Sequence, residues 1–488
     1  MSGAPPVIVW FRNDFRLRDH PALTAAVASG SPVIALYILD EETPGQWAPG
    51  GASRWWLAKS LAAFRHAIAE RGGRLILRRG AIARELPRIV KETGATAIYF
   101  SRSYEPWAVA LEGQLRLLFE ERGVAFKRYG GRLLREPEAV RTRTNGAYQV
   151  FTPFWQAFVR DLKLLKPSAA PDRISAPARS PKSDDLRDWE LLPVKPDWSG
   201  GLAEAWEPGE SGAHARLAEF KTQLAGYKED RNRLDGMRTS RLSPHLAFGE
   251  ISPTACWRAA AAAAKGKGGL DQSVETFMKE LAWREFSYSL LVHFPKLPEA
   301  PLKAEFAAMP WLDDAAQLNA WQRGKTGYPI VDAGMRELWA TGYMHNRARM
   351  ITASFLIKHL LVPWTRGEAW FWDTLVDADL ANNSASWQWV AGCGADAAPY
   401  FRIFNPILQG EKFDPRGDYV RKWVPELAKL PATRIHAPWT AKADELAQAG
   451  VVLGTSYPFP IVDHNHARVR ALQAYEKIKG TSNSPTQS

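Results

Sequence analysis

Four short stretches in the second half of the chain combine residue types that cores and surfaces seldom bring together. In residues 278–286, Glu280 lies three positions before Trp283 and four before Arg284, so a carboxylate, an indole and a guanidinium share one helix face. In residues 344–350, Asn346 and Met350 stand one turn apart, flanked by Arg347 and Arg349. Residues 377–389 gather Asp377, Asp379, Asn383, Trp387 and Trp389. Residues 236–244 carry Thr239, Ser240, Arg241, Leu242 and Ser243 ahead of a helix, where hydroxyls and backbone N–H groups can cradle phosphate. A carboxylate, an indole and a guanidinium thus converge on one face, and the last stretch suits phosphate. Singly, each stretch also suits an ordinary role: Glu280 with Arg284 as a surface pair, Trp387 and Trp389 as core.

Other chemistries fail on spacing. Gly324-Lys325-Thr326 resembles the end of a phosphate-binding loop, but that loop requires glycine five positions earlier, where this chain has Asn319. His345 and the pair His464 and His466 lack the partner spacing of a zinc site, and no Gly-x-Ser-x-Gly elbow exists. Cys256 and Cys393, the only two cysteines, make neither a disulfide framework nor a thiolate metal site.

Two kinds of sequence must position these groups. Residues 1–135 alternate β-rich apolar runs (7–11, 33–39, 75–77, 97–100 and 124–126) with amphipathic stretches near 53–71, 81–93 and 105–122. That alternation predicts a doubly wound parallel sheet, a Rossmann-like α/β domain. The turn after the first strand, Arg12 to Arg16, carries no glycine, so it is not a dinucleotide-binding fingerprint. Residues 136–211 read as an interdomain linker, proline-rich from Pro167 to Pro208. Residues 212–477 read as an all-helical domain, and residues 478–488 as a disordered tail.

Composition narrows the partners. The 488 residues are 46% hydrophobic and 24% charged, ordinary for globular domains. Lys and Arg outnumber Asp and Glu by 63 to 52, a net charge of +11 that makes nucleic acid a partner to test. The 21 tryptophans suit base stacking, flavin packing and electron hopping as well as core filling. With no secretion signal and no long apolar run, the sequence predicts a cytoplasmic protein.

With Asp396 to Pro406, in which Tyr400, Phe401, Arg402 and Asn405 recur in a familiar order, the clusters resemble the photolyase and cryptochrome family. The likeness is greatest to bacterial class I cyclobutane pyrimidine dimer photolyases and runs from about Val7 to Tyr475. It implies an α/β antenna domain, a helical domain holding reduced FAD, and repair of ultraviolet-damaged DNA by light-driven electron transfer to a flipped-out dimer. By that resemblance Tyr227, Thr239, Ser240, Arg241, Leu242, Ser243, Phe277, Glu280, Arg284, Asn346, Arg349, Asp377, Asp379 and Asn383 hold the cofactor. Asn383 would face the flavin N5, and Arg349 with Asp377 would form an ion pair against the ring.

The resemblance gives the dimer pocket to Glu280, Trp283, Asn346, Met350 and Trp389, and the phosphates around the lesion to Arg231, Arg284, Arg347 and Arg402. Trp283 and Trp389 double as DNA contacts, and Trp387, Trp364 and Trp311 would carry electrons that reduce the flavin in light. Asn383 favours repair over plant-type cryptochrome signalling. Asn346 and Met350 disfavour a (6-4) photolyase, whose proton-transferring histidines occupy those positions. The antenna is open between methenyltetrahydrofolate and 8-hydroxydeazaflavin, because Tyr104-Glu105 is followed by Pro106-Trp107 where folate binders have Asn-Glu. Residues 50–56 are the alternative lining, and the family resemblance implies a monomer.

Overall fold

The computed structural model describes residues 4–236, 238–264 and 271–482. They divide into two compact units. Unit 1 is Met1–Lys228, Ser240–Pro295 and Val376–Ala381; unit 2 is Glu229–Thr239, Lys296–Leu375 and Asn382–Ser488.

Unit 1 is built on five parallel strands, β1 (Val7–Phe11), β2 (Val33–Leu39), β3 (Leu75–Arg79), β4 (Ala97–Ser101) and β5 (Ala125–Tyr129), in the order β3-β2-β1-β4-β5. Every residue of β1, β2 and β4 is buried, as continuous apolar runs covered on both faces must be. The edge strand β5 is largely exposed and carries Lys127 and Arg128. Around the sheet lie α1 (Pro21–Ala28), α2 (Gly51–Glu70), α3 (Ile82–Thr93) and α4 (Pro106–Glu121), with Ile8, Trp10, Leu36, Ile98, Leu115 and Phe119 in the core between. The sequence reading missed α1 and began the fifth strand one residue early.

Strand order reverses between β1 and β4, where open α/β sheets usually seat ligands. Here the chain fills that place itself. Arg12 donates to the Ser101 carbonyl, pairs with Glu112 at 2.8 Å and lies 4.5 Å from the Trp10 ring centre. Arg16, fully buried, donates to the carbonyls of Asp19, Gly131 and Gly249. Gly249 must be glycine, since a Cβ would stand 2.2 Å from the Asn13 carbonyl oxygen.

Unit 1 continues beyond the sheet with α5 (Phe151–Arg160), α6 (Gly200–Ala205) and α7 (Glu210–Gln223); α8 (Tyr227–Asp230) crosses the boundary, and α9 (Ser243–Ala247), α10 (Pro253–Ala264) and α11 (Asp271–His293) follow. The division therefore differs from the boundaries at 135 and 211. The segment read as linker contains α5 and α6, and α11 packs on the chain just after β5. Glu285 accepts from the Leu134 and Arg135 amides at 2.9 and 3.3 Å, and Arg284 donates to the Arg132 carbonyl at 2.9 Å.

Unit 2 is helical: α12 (Ala315–Gln322), α13 (Pro329–Thr341), α14 (Asn346–Ser354), α15 (Trp364–Thr374), α16 (Leu380–Ala391), whose first two residues belong to unit 1, α17 (Pro406–Phe413), α18 (Asp418–Trp423), α19 (Ala443–Ala449) and α20 (His464–Ser482). Residues 478–482, read as tail, continue α20, and the remainder of that tail lies outside the described residues. No helix among the described residues is long and apolar enough to cross a membrane. Cys256 and Cys393 are buried and free.

Candidate functional site

In unit 1 the site begins on α11. Glu280 and Trp283 are half-buried on adjacent turns, and Trp283 lies flat against Phe151 with ring centres 3.8 Å apart and planes 6° apart. Arg284, expected on the DNA face, is instead 8% exposed. It bonds the Arg132 carbonyl and stacks 4.9 Å over Tyr288, whose hydroxyl donates to Asp379. Arg132 donates to the Tyr288 oxygen and approaches Glu105 at 3.5 Å. Arg284 thus positions Tyr288 and the loop holding Asp379 rather than presenting an open surface cation. Burial pushes the neighbouring Glu285 up to about 7, with Arg284 opposing the rise.

The phosphate-type cluster also lies largely in unit 1. Tyr227 and Phe277 meet through Phe220, with ring centres 5.2 and 4.8 Å from it. Ser240 accepts from the Leu242 amide at 3.4 Å, and Arg241, with φ of 51°, sets its guanidinium 4.1 Å from the Trp206 ring. Ser243, exposed in the first turn of α9, donates to Asp377 at 2.6 Å. The structure thus joins Ser243 to Asp377, residues far apart in sequence. Thr239 closes the first segment of unit 2.

In unit 2, α14 presents Asn346 at its exposed first position and Met350 half-buried one turn on. The helix is capped by His345, whose Nδ1 accepts the Arg347 amide at 3.1 Å, which leaves the ring proton on Nε2. Burial, with Arg347, Arg349 and Arg231 nearby, pulls the His345 imidazole down to about 4, so it is neutral at pH 7. Arg347 donates to Asn232 at 2.7 Å and stacks on Phe413, while Arg349 donates to the Met344 carbonyl at 2.7 Å. Arg402 is exposed, and its carbonyl accepts from Lys358 at 3.0 Å. Lys358 is itself buried, which pulls its ammonium down to about 7.

Asn383 is buried and donates its amide to the Glu368 carbonyl at 3.0 Å. Glu368 is 1% exposed, bonded to Ser384, and pushed up to about 8 by burial, so it is a neutral acid at pH 7. The sequence reading missed Glu368, though a signal was present. It stands on the buried stripe of α15 that runs Trp364, Gly367, Glu368, Phe371 and Thr374, where an acid is out of place.

Trp387 is buried against the Phe371 edge at 4.9 Å and Trp321 at 6.3 Å, and Trp364 is buried one turn before Gly367. Trp311 is partly exposed, and so is Trp389. Trp321, a further buried indole beside Trp387, donates to the Thr352 carbonyl at 3.0 Å and was not singled out from sequence.

Of the antenna expectations, Tyr104 is buried and donates to Glu136 at 3.0 Å, while Arg132 holds Glu105 below the usual carboxylate range against the opposing effect of burial. Trp55 and Trp56 are core, with Trp56 donating to Glu250 at 3.0 Å. Residues 50–56 therefore do not put these indoles on a pocket wall.

A family profile described as DNA photolyase matches residues 7–173, and one described as the FAD binding domain of DNA photolyase matches residues 277–477. The chain is 51% identical to a deoxyribodipyrimidine photo-lyase of Agrobacterium fabrum, over 98% of this chain and 99% of that one. It is 38% identical to Cryptochrome-1 of Arabidopsis thaliana, over 96% of this chain and 70% of that one. The crystal structure of a bacterial class III photolyase from Agrobacterium tumefaciens matches with a TM-score of 0.95 at 50% identity, covering 98% of each chain. That subclass differs from the class I type to which the motifs pointed. The residue types in each unit suit FAD: unit 1 offers hydroxyls at Ser240 and Ser243 and a carboxylate at Asp377, and unit 2 by itself offers a buried amide at Asn383 beside the buried Glu368. A parallel α/β sheet at the N-terminus, a helical FAD-binding domain after it and relatives matched along nearly the whole length place this chain in the photolyase and cryptochrome family.

Proposed function

We propose that the protein repairs ultraviolet-damaged DNA by light-driven splitting of cyclobutane pyrimidine dimers. The observation that carries this reading is the buried setting of Asn383, whose amide donates to the carbonyl of Glu368, a fully buried acid whose carboxyl that burial pushes up. An amide beside a neutral acid sets no fixed negative charge against an electron-rich ring. FAD, held in reduced form, would supply light-driven single-electron chemistry with no net redox change.

The chain's own residues bind, orient and exclude water. In unit 1, Ser240, Leu242 and Ser243 would hold the FAD phosphates, with Tyr227, Phe277 and Asp377 as further cofactor contacts; in unit 2, Thr239 and Arg349 are assigned to the same cofactor. In unit 1, Glu280 bonds the base edge of the dimer and Trp283 offers it an apolar wall; in unit 2, the dimer contacts are assigned to Trp389, Asn346 and Met350. Neither Asn346 nor Met350 transfers a proton at neutral pH, which suits the cyclobutane lesion. Arg231, Arg347 and Arg402 grip backbone phosphates, a contact that orients without reading sequence. Trp387, Trp364 and Trp311 pass from buried to partly exposed in unit 2, as a route for electrons to the flavin requires. The protein acts as a cytoplasmic monomer. A folate or deazaflavin antenna is read from the absorption spectrum of the purified protein.

The test is dimer content in an irradiated thymine oligonucleotide, incubated with reduced protein in blue light and in darkness, beside a (6-4) substrate. Loss of the cyclobutane dimer in light alone is expected. If FAD is bound and neither lesion disappears, the repair reading fails and a light-sensing role replaces it.

A further inference from the structure

The closest aromatic stack among those in unit 1 is Phe151 on Trp283, with centres 3.8 Å apart and planes 6° apart. Free aromatic pairs prefer offset or edge-to-face arrangements with centres about 4.5–7 Å apart, so this face-on pairing is imposed by its surroundings. Those surroundings are visible. Phe286 packs edge-on against both rings, at 5.7 Å from Trp283 and 5.9 Å from Phe151, and Phe154 lies 5.0 Å from Phe286. Phe151 is 8% exposed, whereas Trp283 remains half-buried. One indole face is thus covered and one edge is braced, so the neighbours on those two sides restrict the ring.

We infer that Phe151 is a positioning residue for lesion recognition, holding the Trp283 indole at the angle on which a dimer packs. The inference rests on the assignment of Trp283 as a dimer wall. It gives a function to α5, in the stretch whose sequence reads as a linker. A flat apolar wall packs against the dimer well only when its plane is held before the dimer arrives. Without Phe151 the indole gains a second exposed face and new rotamers, and the dimer must order it on binding.

The experiment measures dark binding of FAD-loaded protein to matched oligonucleotides with and without a cyclobutane dimer. Phe151→Leu is expected to lower the dimer-to-undamaged affinity ratio about tenfold. Affinity for undamaged DNA, flavin content and light-driven flavin reduction should stay as in the wild type. Phe151→Tyr, which keeps the flat ring, should restore the ratio. In a Trp283→Leu background, Phe151→Leu should add nothing, because the ring it positions is gone. If Trp283→Leu lowers the ratio and Phe151→Leu does not, the inference is overturned while the wall assignment stands. If Trp283→Leu leaves the ratio intact, the wall assignment itself falls. Should Phe151→Leu lose FAD, Phe151→Met keeps the volume without the flat face and is read by the same criteria.

Discussion

Gly367 offers a steric test of the tryptophan route. It sits on α15 facing the Trp387 ring, and an added Cβ would stand 2.1 Å from Cη2, 2.5 Å from Cζ3 and 2.6 Å from Cζ2. Ordinary contact begins near 3.4 Å, so the six-membered edge of the indole must retreat by more than 1 Å. It has nowhere to go, because Phe371 and Trp321, both buried, already lie against it at 4.9 and 6.3 Å. Overpacking of this kind costs about 1–3 kcal/mol through off-rotamer side chains and backbone shifts. In a cooperative unit of this size that lowers Tm by roughly 2–12 °C. Trp364 lies one turn away on the same helix, so moving α15 off Trp387 changes the spacing between two members of the proposed route. Gly367→Ala should therefore slow light-driven flavin reduction with an external donor several-fold. Dimer repair by protein reduced chemically beforehand should be unchanged. If Tm and photoreduction both match the wild type, the packing described here, or the route through Trp387, is wrong.

Glu368→Gln replaces a neutral acid with its isostere. Because the folded-state value is raised to about 8 from an ordinary 4.5, the wild-type contribution is full below pH 4.5 and lost as pH rises through 8. The variant should therefore gain Tm relative to wild type with rising pH across that window, and equal Tm differences at pH 5 and 8.5 would count against a buried neutral Glu368. The acid side runs the other way. His345 and His359 are depressed to about 4 and 3, so their contribution is full above about pH 6.5 and falls away as pH drops toward those values. His345→Asn, which keeps a good helix cap without the titration, should flatten that limb in a Tm-against-pH series. Arg402→Ala should weaken binding of all DNA sequences about equally and reduce the slope of log affinity against log salt by about 1; a sequence-dependent loss would contradict a phosphate contact.

The alternation of strands and helices over residues 1–135 was legible because period and apolar content decide it locally. Which neighbour a helix packs against is not local. Nothing in residues 278–286 announces that Arg284 and Glu285 reach back to 132–135, and so the boundary drawn after 135 does not separate the units. The helix α5 did leave a trace, with Phe151, Phe154 and Phe158 spaced three and four apart, but the prolines that follow it made the whole stretch read as connector. The types of the site residues could be read directly, whereas their state could not. A guanidinium at 284 looks the same in sequence whether it meets DNA or an internal carbonyl, and Glu368 reveals its neutrality only through the burial of α15.

The arginine that occupies the strand-order reversal in the α/β sheet also limits what this half of the protein can become. Arg12 is paired there with Glu112, which is 5% exposed and also accepts the Ser103 amide. Deleting Arg12 alone would leave a buried carboxylate without its nearest cation, at a cost of about 3–5 kcal/mol. Deleting Glu112 alone would strand a guanidinium in the same place. Removing either partner is therefore expected to cost more than removing both, so the pair at this crevice should change as a unit rather than one residue at a time.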